Sequence, residues 1–594
     1  MQKKHLLWVI LAVAALARLW GLAAGDLTGS DEIFYGFRAI GMLDYDNAPK
    51  QSTPLEWFDP INAANKIIPY PPSVQEQCAK EKNAVTKLLD LITGHCNQNQ
   101  KLTAGIPWWT NLSFHDHPPL VFLVQHWSIK VFGENKFAFR LPSALAGILS
   151  VYLIYLIGKK LFSEKAGLLS AALMAITVNA VHNSRLGLQE STLMALILAA
   201  IYFFLLAKDN KRNFILAGVF FGLALLAKYN AIILLPIFLT YILFFHRDWL
   251  KEKYLWLGLA AAVVIFSPVI IYNLELYRAT GHFDFQLSYL FGQNPPIWQS
   301  APGKEEAGTL TNRLLNFLPN LAKANSWLFL VVAAASLCRL AYGAIKKRLP
   351  SEIFLLAANV WFGLLIVLAV GPAFRFLAML TPFFALAVGY WLSLTWPISS
   401  RLMTIALAIF IAWEALYTAN TDLVPYPIGP QHFAFSRLRY ENYRWGYNAL
   451  DQFLEKELSG KYPAFVLNQK YGFLDEMINN SIESAKTGGS QPYSALIIYD
   501  NNLKDAAKFW SLDRLQIYHG WPVVKTEGFL ELQTFDLPAH TTYFIIPAGK
   551  VPLKKPENLT TIGAQFEQKL LAKGIFPIAI KNQRDEVVFR IYKF

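Results

Sequence analysis

About eleven stretches of this chain are apolar over enough residues, or nearly enough, to cross a bilayer, and that pattern removes most folds from consideration. Hydrocarbon offers no partner to backbone N–H and C=O groups, so each crossing segment closes its own hydrogen bonds as a helix. We read spans at 6–24, 140–161, 166–182, 189–207, 213–228, 229–245, 254–275, 325–343, 352–370, 374–395 and 401–418. Several hold only about 16 to 18 residues, near the lower limit for a hydrocarbon core of roughly 30 Å. With 54% hydrophobic residues among 594, the chain reads as a polytopic α-helical membrane protein. Its first 24 residues, with Lys3 and Lys4 before an apolar run, look like a signal peptide. The run is as long as a span and no small-x-small cleavage site leads into a soluble chain, so we read it as a retained first helix.

The net charge of +13 raises nucleic acid as a partner, but the distribution of the cations argues against it. They cluster in short loops between apolar runs: Lys159, Lys160 and Lys165; Lys208, Lys211 and Arg212; Arg247, Lys251 and Lys253; Lys346, Lys347 and Arg348; then Arg401. This is the positive-inside pattern of a plasma-membrane protein. It sets the N-terminus in the cytoplasm, and an odd number of spans sets the C-terminus outside. Residues 118–133 are too short for a span, and counting them as one would put Lys159, Lys160 and Lys165 outside. A short amphipathic helix in the outer interface fits better. Everything large then lies outside: 25–139, 276–324 and 419–594. Composition changes near 420, so a membrane domain over 1–420 precedes an extracytoplasmic α/β domain over 421–594. In the latter we expect helices at 447–458 and 562–573, and strands at 464–468, 495–499, 543–547, 577–580 and 587–592. No glycine-rich phosphate loop, metal-spaced cysteines or nucleophile elbow occurs there, so the chemistry is assigned to the membrane part and a supporting or acceptor-recognition role to this domain.

Residues 27–38, LTGSDEIFYGFR, follow the first span directly. Asp31 and Glu32 stand just outside the membrane, before Phe34, Tyr35 and Phe37. Two acids there can be a solvated helix start capped by Ser30, or one can be a catalytic base held at the surface. Ionisable residues also gather at the outer ends of other spans: Arg140, Arg185, Glu190, Lys228 and Arg375. One cation at a helix end is an ordinary snorkelling residue. Four on the side that the positive-inside rule depletes need counter-charge, and an anionic ligand at that depth supplies it. A lipid phosphate suits this place, since its tail stays in the bilayer. The cations would stabilise charge on a departing phosphate while Asp31 or Glu32 takes a proton from an incoming hydroxyl.

His115, Asp116 and His117 have the chemistry to hold a divalent metal, the only cofactor any motif suggests. Three adjacent side chains rarely converge on one ion, so hydrogen bonding is the favoured alternative. Cys78 and Cys96 share a polar loop that an oxidising compartment would let them close, against two free thiols. Cys338 lies in an apolar run and reads as inert. Asn111, Asn479 and Asn558 begin Asn-x-Ser/Thr triplets, which arise often by chance.

Five pieces in this order resemble the GT-C glycosyltransferases of the protein O-mannosyltransferase type, which include the lipid A aminoarabinose transferases. They are DEIFY at Asp31, HPPL at His117, FAFRLPSALAGILSVYLIYLIGKKLF from Phe137, SRLGLQESTLMALILAAIYFF from Ser184 and LALLAKYNAIILLP from Leu223. GPAFRFLAMLTPFF, with Arg375, looks like the arginine segment late in that membrane domain. The resemblance covers about 1–420. It implies inverting transfer of a monosaccharide from a polyprenyl-phosphate donor to a hydroxyl of a protein, lipid or glycan, outside the cytoplasm. It implies that Asp31 is the base, that Glu32 orients the acceptor or Asp31, and that Arg140 and Lys228 contact donor phosphate. Arg375 joins them, and Glu190, Arg185, His117 and Tyr35 complete the substrate-binding set. Glu190 stands where the family often has Asp. His117 stands where the lipid A branch has lysine, so that branch's substrate is not favoured. The domain inserted in eukaryotic protein mannosyltransferases is absent from 276–324, which points to a bacterial or archaeal relative. Two other classes remain: a lipid or polysaccharide transporter, which needs midplane charges and internal repeats that we do not see, and a non-catalytic membrane subunit, against which the acid pair and cation set argue.

Overall fold

The computed structural model describes residues 2–27, 29–41, 117–293, 308–346, 350–395, 401–467, 472–504, 508–532 and 538–594. Cys78, Cys96, Asn111, His115 and Asp116 lie outside them, as does the side chain of Ser30, so the pairing, metal and capping expectations fall outside the described residues. The chain divides into two compact units. One takes in Met1–Leu22 and Phe114–Tyr440; the other takes in residues from Ala23 and all of Glu441–Phe594.

Two helices open the chain, α1 (Gln2–Leu19) in the first unit and α2 (Ser30–Gly41) in the second. The first unit continues through α3 (Leu120–Phe132), α4 (Lys136–Leu161), α5 (Glu164–Ile176), α6 (Val178–Arg185), α7 (Glu190–Leu206), α8 (Asn213–Ala227), α9 (Leu234–Phe245) and α10 (Lys253–Thr280). It ends with α11 (Leu310–Ala324), α12 (Trp327–Lys346), α13 (Ser351–Val370), α14 (Thr381–Thr395) and α15 (Arg401–Thr418). Polar side chains start several of these helices where the sequence supplies them. The Asn135 side chain accepts from the Ala138 N–H ahead of α4, and that of Ser163 accepts from the Ala166 N–H ahead of α5.

Among the described residues, five helices are long and apolar enough to cross a membrane: Lys136–Leu161, Lys253–Arg278, Ser351–Val370, Phe374–Thr395 and Arg401–Leu423. The remaining expected spans coincide with shorter apolar helices, at His5–Leu19, Glu190–Leu206, Asn213–Ala227, Tyr229–Phe245 and Trp327–Gly343, and with the pair α5 and α6. The chain is therefore a multipass membrane protein. Small residues let its helices approach. A Cβ on Gly218 of α8 would sit 1.9 Å from the Gly258 carbonyl of α10, a contact only glycine permits. Helix α3 has 13 residues, as the short-helix reading requires, and buries Val121, Phe122, Gln125, His126 and Ile129.

The span expected at 166–182 is not continuous. It bends by 56° between α5 and α6, at Thr177, and no proline lies at the break. The carbonyls that the break releases find donors elsewhere. Arg18, fully buried on α1, donates to Met174 O at 3.0 Å and Ala175 O at 3.1 Å, and the Thr418 hydroxyl donates to Ile176 O at 2.5 Å. A carbonyl left without a donor in apolar surroundings costs several kcal/mol, about 4–8 in hydrocarbon. The buried arginine removes that cost and so makes the bend sustainable. Beyond it, all eight residues of α6, VNAVHNSR, are buried although Asn179, His182, Asn183, Ser184 and Arg185 are polar.

The second unit is a three-layer α/β arrangement. Strands β3 (Ala495–Tyr499), β4 (Val523–Lys525), β5 (Thr541–Pro547), β6 (Ile578–Lys581) and β7 (Val587–Lys593) form one sheet in the order β4-β3-β5-β7-β6. β3 runs parallel to β4 and β5, while β7 runs antiparallel to β5 and β6. A small parallel pair, β1 (Lys461–Pro463) and β2 (Gln491–Tyr493), stands apart. Alternate side chains of β3 serve two cores. Ala495 and Ile497 pack with Leu450 and Leu454 of α16 (Tyr447–Leu458). Leu496 and Ile498 share a second core with Phe566 and Leu570, which belong to the helix at Ile562–Ala572. A strand covered on both faces reads as a continuous apolar run, and ALIIY is one. The strand expected at 464–468 is corrected: pairing occurs just before it, at Lys461–Pro463. The helix at Gly472–Thr487 and the strand at Val523–Lys525 were not expected.

Candidate functional site

Within the membrane unit, three expected residues meet. Glu190 opens α7 and is 3% exposed. Lys228 follows α8 in an extended conformation, φ −166°, which turns its side chain out of the helix line. Its Nζ donates to Glu190 Oε1 at 2.6 Å. Arg375, in the helical turn at Phe374–Leu377, brings Nε to 3.8 Å from the same oxygen. Phe376 lies between the two cations, with Lys228 Nζ 4.9 Å and Arg375 Cζ 4.7 Å from its ring centre. Two cations share one carboxylate, so the cluster carries one net positive charge. Glu190 Oε2 is buried and has no hydrogen-bond partner among the described residues, and neither polar atom of the fully buried Gln189 amide has one. A buried site with surplus positive charge and open polar atoms is suited to a polar anion.

The other two cations are committed differently. Arg185 Nη1 donates to Ala17 O at 2.9 Å and Nη2 to Gly21 O at 3.0 Å. Arg140 Nη1 donates to Leu22 O at 3.1 Å, and its side chain is fully buried. Both guanidinium groups thus receive carbonyls at and beyond the C-terminal end of α1, where a helix leaves acceptors over and favours positive charge. His117 precedes α3, with its ring 6.4 Å from that of Phe122. Gln125 of α3 donates to Gly187 O at 2.9 Å, which ties this short helix to the turn that carries Gln189 and Glu190.

Opposite ends of the same helices gather basic residues. Lys160 bonds Asp209, and Lys208 lies 3.8 Å from Glu352. Lys160, Lys208, Tyr241, Trp249 and Glu352 line one cavity, so the ends of α4, α7 and α9 and the start of α13 lie together. Glu190 and the group around Lys160 and Lys208 therefore lie at opposite ends of α7.

The acid pair belongs to the second unit. Asp31 is exposed at the first turn of α2, while Glu32 is 3% exposed. Tyr35 is also buried, at 3%. Phe34 and Phe37 each set their rings 5.6 Å from Phe509, and Phe37 is 5.0 Å from Tyr518. The aromatics of the motif thus pack α2 against its own unit, leaving Asp31 outward.

Two groups were missed by sequence reasoning. His182 of α6 sets Nδ1 2.7 Å from Asp422 Oδ1, both fully buried. Arg18 closes the break described above. Each is a polar residue inside an apolar run, a signal that was present.

Comparison with known proteins bears on the fold. No curated protein sequence matches the chain. The family model described as dolichyl-phosphate-mannose-protein mannosyltransferase matches residues 116–272, under half of the chain. That stretch contains Arg140, Arg185, Glu190 and Lys228. ArnT from Cupriavidus metallidurans bound to undecaprenyl phosphate aligns with a TM-score of 0.52 at 13% identity, over 98% of this chain and 97% of that one. The same protein in the apo state gives 0.51 at 13% identity, over 100% and 98%. The Archaeoglobus fulgidus oligosaccharyltransferase complex with Zn and sulfate gives 0.49 at 14%, over 91% and 68%. The two ArnT alignments show that this chain shares the ArnT fold along nearly its whole length.

Proposed function

We propose that the chain is a membrane glycosyltransferase that moves a monosaccharide from a polyprenyl-phosphate donor to a hydroxyl acceptor with inversion. The observation that carries this reading is the cluster of Lys228, Arg375 and Glu190, a buried surplus of positive charge with open polar atoms at one end of a helix bundle. The undecaprenyl phosphate bound by ArnT, which has the same fold, supports a lipid phosphate as the anion. In one displacement, Asp31 takes the proton of the acceptor hydroxyl as its oxygen attacks the anomeric carbon, and the bond to the phosphate oxygen breaks. Lys228 and Arg375 hold the departing lipid phosphate through charge-assisted hydrogen bonds, while Glu190 keeps both cations in place. Buried Glu32 orients Asp31. Arg140 and Arg185 shape the end of α1, whose carbonyls accept from them, and His117 and Tyr35 contribute to substrate binding.

The same reading sets eleven spans, with the N-terminus in the cytoplasm and 25–139, 276–324 and 421–594 outside. The test is binding of polyprenyl phosphate to purified protein, followed by native mass spectrometry. Wild type should retain the lipid, and Lys228→Ala or Arg375→Ala should weaken it roughly tenfold or more, the worth of one hydrogen bond to a charged group. Equal affinity in all three proteins would remove the phosphate site.

A further inference from the structure

We infer that the C-terminal α/β domain acts as the positioning device for Asp31, through Asp26 and Tyr518, an inference that rests on Asp31 being the base. Helix α16 has glycine, Gly446 at φ 122°, where a capping side chain would stand. The missing cap comes from 420 residues upstream. Asp26 Oδ2 accepts from the Gly446 N–H at 2.7 Å and the Tyr447 N–H at 2.9 Å, and Oδ1 accepts from the Asn448 N–H at 3.0 Å. The backbone closes the same joint. The Asp26 N–H donates to Tyr443 O at 3.0 Å, and the Asn448 amide donates to Ala24 O at 2.9 Å. A carboxylate buried to 1% exposure and given three N–H donors at a helix N-terminus is held firmly.

Five residues later the chain reaches Asp31, and the far side of α2 is fixed again. The Tyr518 hydroxyl donates to Phe37 O at 2.5 Å, and a Cβ on Gly41 would lie 3.0 Å from the Tyr518 oxygen. Asp31 is thus an exposed residue of a short segment pinned before and behind by one domain. A twelve-residue helix has little stability of its own and takes its order from what it packs on. A base misplaced by about 1 Å can lose two orders of magnitude in rate. Asp26 and Tyr518 touch neither donor nor acceptor in this reading; they act through α2.

The test compares full-length Asp26→Ala, Asp26→Asn and Tyr518→Phe with wild type, using transfer kinetics and hydrogen exchange. Asp26→Ala should lower kcat at least tenfold with the donor KM within about twofold, and Asp26→Asn, which keeps one acceptor oxygen, should recover part of the loss. Amides of 30–41 should exchange faster in Asp26→Ala, and to a smaller degree in Tyr518→Phe. Glu567→Gln, which breaks the ion pair with Arg590 in the same domain, controls for general destabilisation and should keep wild-type kcat. If Asp31→Asn is inactive but Asp26→Ala keeps wild-type kcat and α2 exchange, positioning fails while the base assignment stands. If Asp31→Asn turns over normally, the base assignment fails and this inference fails with it.

Discussion

Glu190 decides how the cluster around it behaves. Its carboxylate neutralises one of the two cations that approach it, so it competes with any incoming anion. Glu190→Gln keeps the shape and removes that competition. It should bind polyprenyl phosphate more tightly than wild type, by severalfold in a titration of the purified protein, provided the fold holds. Weaker binding would mean that the carboxylate holds the cations in place more than it competes with the anion. A second carboxylate sets a pH response in the outer domain. Burial works to raise the Glu567 carboxyl, but hydrogen bonds from Arg590 and Tyr592 together hold it below the usual range. The same environment pushes the Tyr592 hydroxyl up to about 12, first by burial and then by its bond to Glu567. Because the folded carboxyl is depressed, its stabilisation is complete above the unfolded value of about 4.3 and is lost as pH falls below it. The melting temperature of wild type should therefore drop more between about pH 6 and pH 3 than that of Glu567→Gln; equal drops would show that this carboxylate does not contribute. Residues at helix ends were legible because charge beside an apolar run stands out, as at Lys228. The partners of Arg140 and Arg185 were not, since backbone carbonyls leave no trace in composition.

Helices α5 and α6 show where reading by element stopped. Hydropathy gave one span over 166–182, and each half is indeed helical. The bend at Thr177 depends on donors from α1 and α15, more than 150 residues away in each direction. A window over local sequence cannot see them, although Arg18 inside the first span was a visible anomaly. Arg18→Met should leave two buried carbonyls without donors, at about 1–3 kcal/mol each. We expect an unfolding midpoint in denaturant lower by a corresponding amount, and a wild-type midpoint would show that water or another group replaces the guanidinium. The outer domain was legible where strands are covered on both faces, as at Ala495–Tyr499. The helix at Gly472–Thr487 was missed although Leu474, Ile478 and Ile482 recur at helical spacing, a signal that was present.

At the scale of the molecule, one unit is a helix bundle with Glu190 at one end of α7 and the Lys160 and Lys208 group at the other, and the second is an α/β unit that includes α2. The proposed orientation is testable on intact cells through two exposed positions, Asn210 in a basic loop and Ser484 in the outer domain. In a cysteine-free background, Asn210→Cys should resist a membrane-impermeant thiol reagent, while Ser484→Cys should react. The reverse pattern would invert the topology and move the proposed chemistry to the cytoplasm. Either result leaves the fold untouched, since it rests on helices and alignment rather than on orientation. One comparison bears most directly on the role of Asp31. Purified wild type and Asp31→Asn should be assayed side by side for polyprenyl-phosphate binding and for transfer of the sugar to acceptor. Binding within about twofold of wild type, with transfer reduced at least about a hundredfold, is the expected result for a base whose typical contribution is roughly 10²–10⁴. Transfer at the wild-type rate by Asp31→Asn would contradict it.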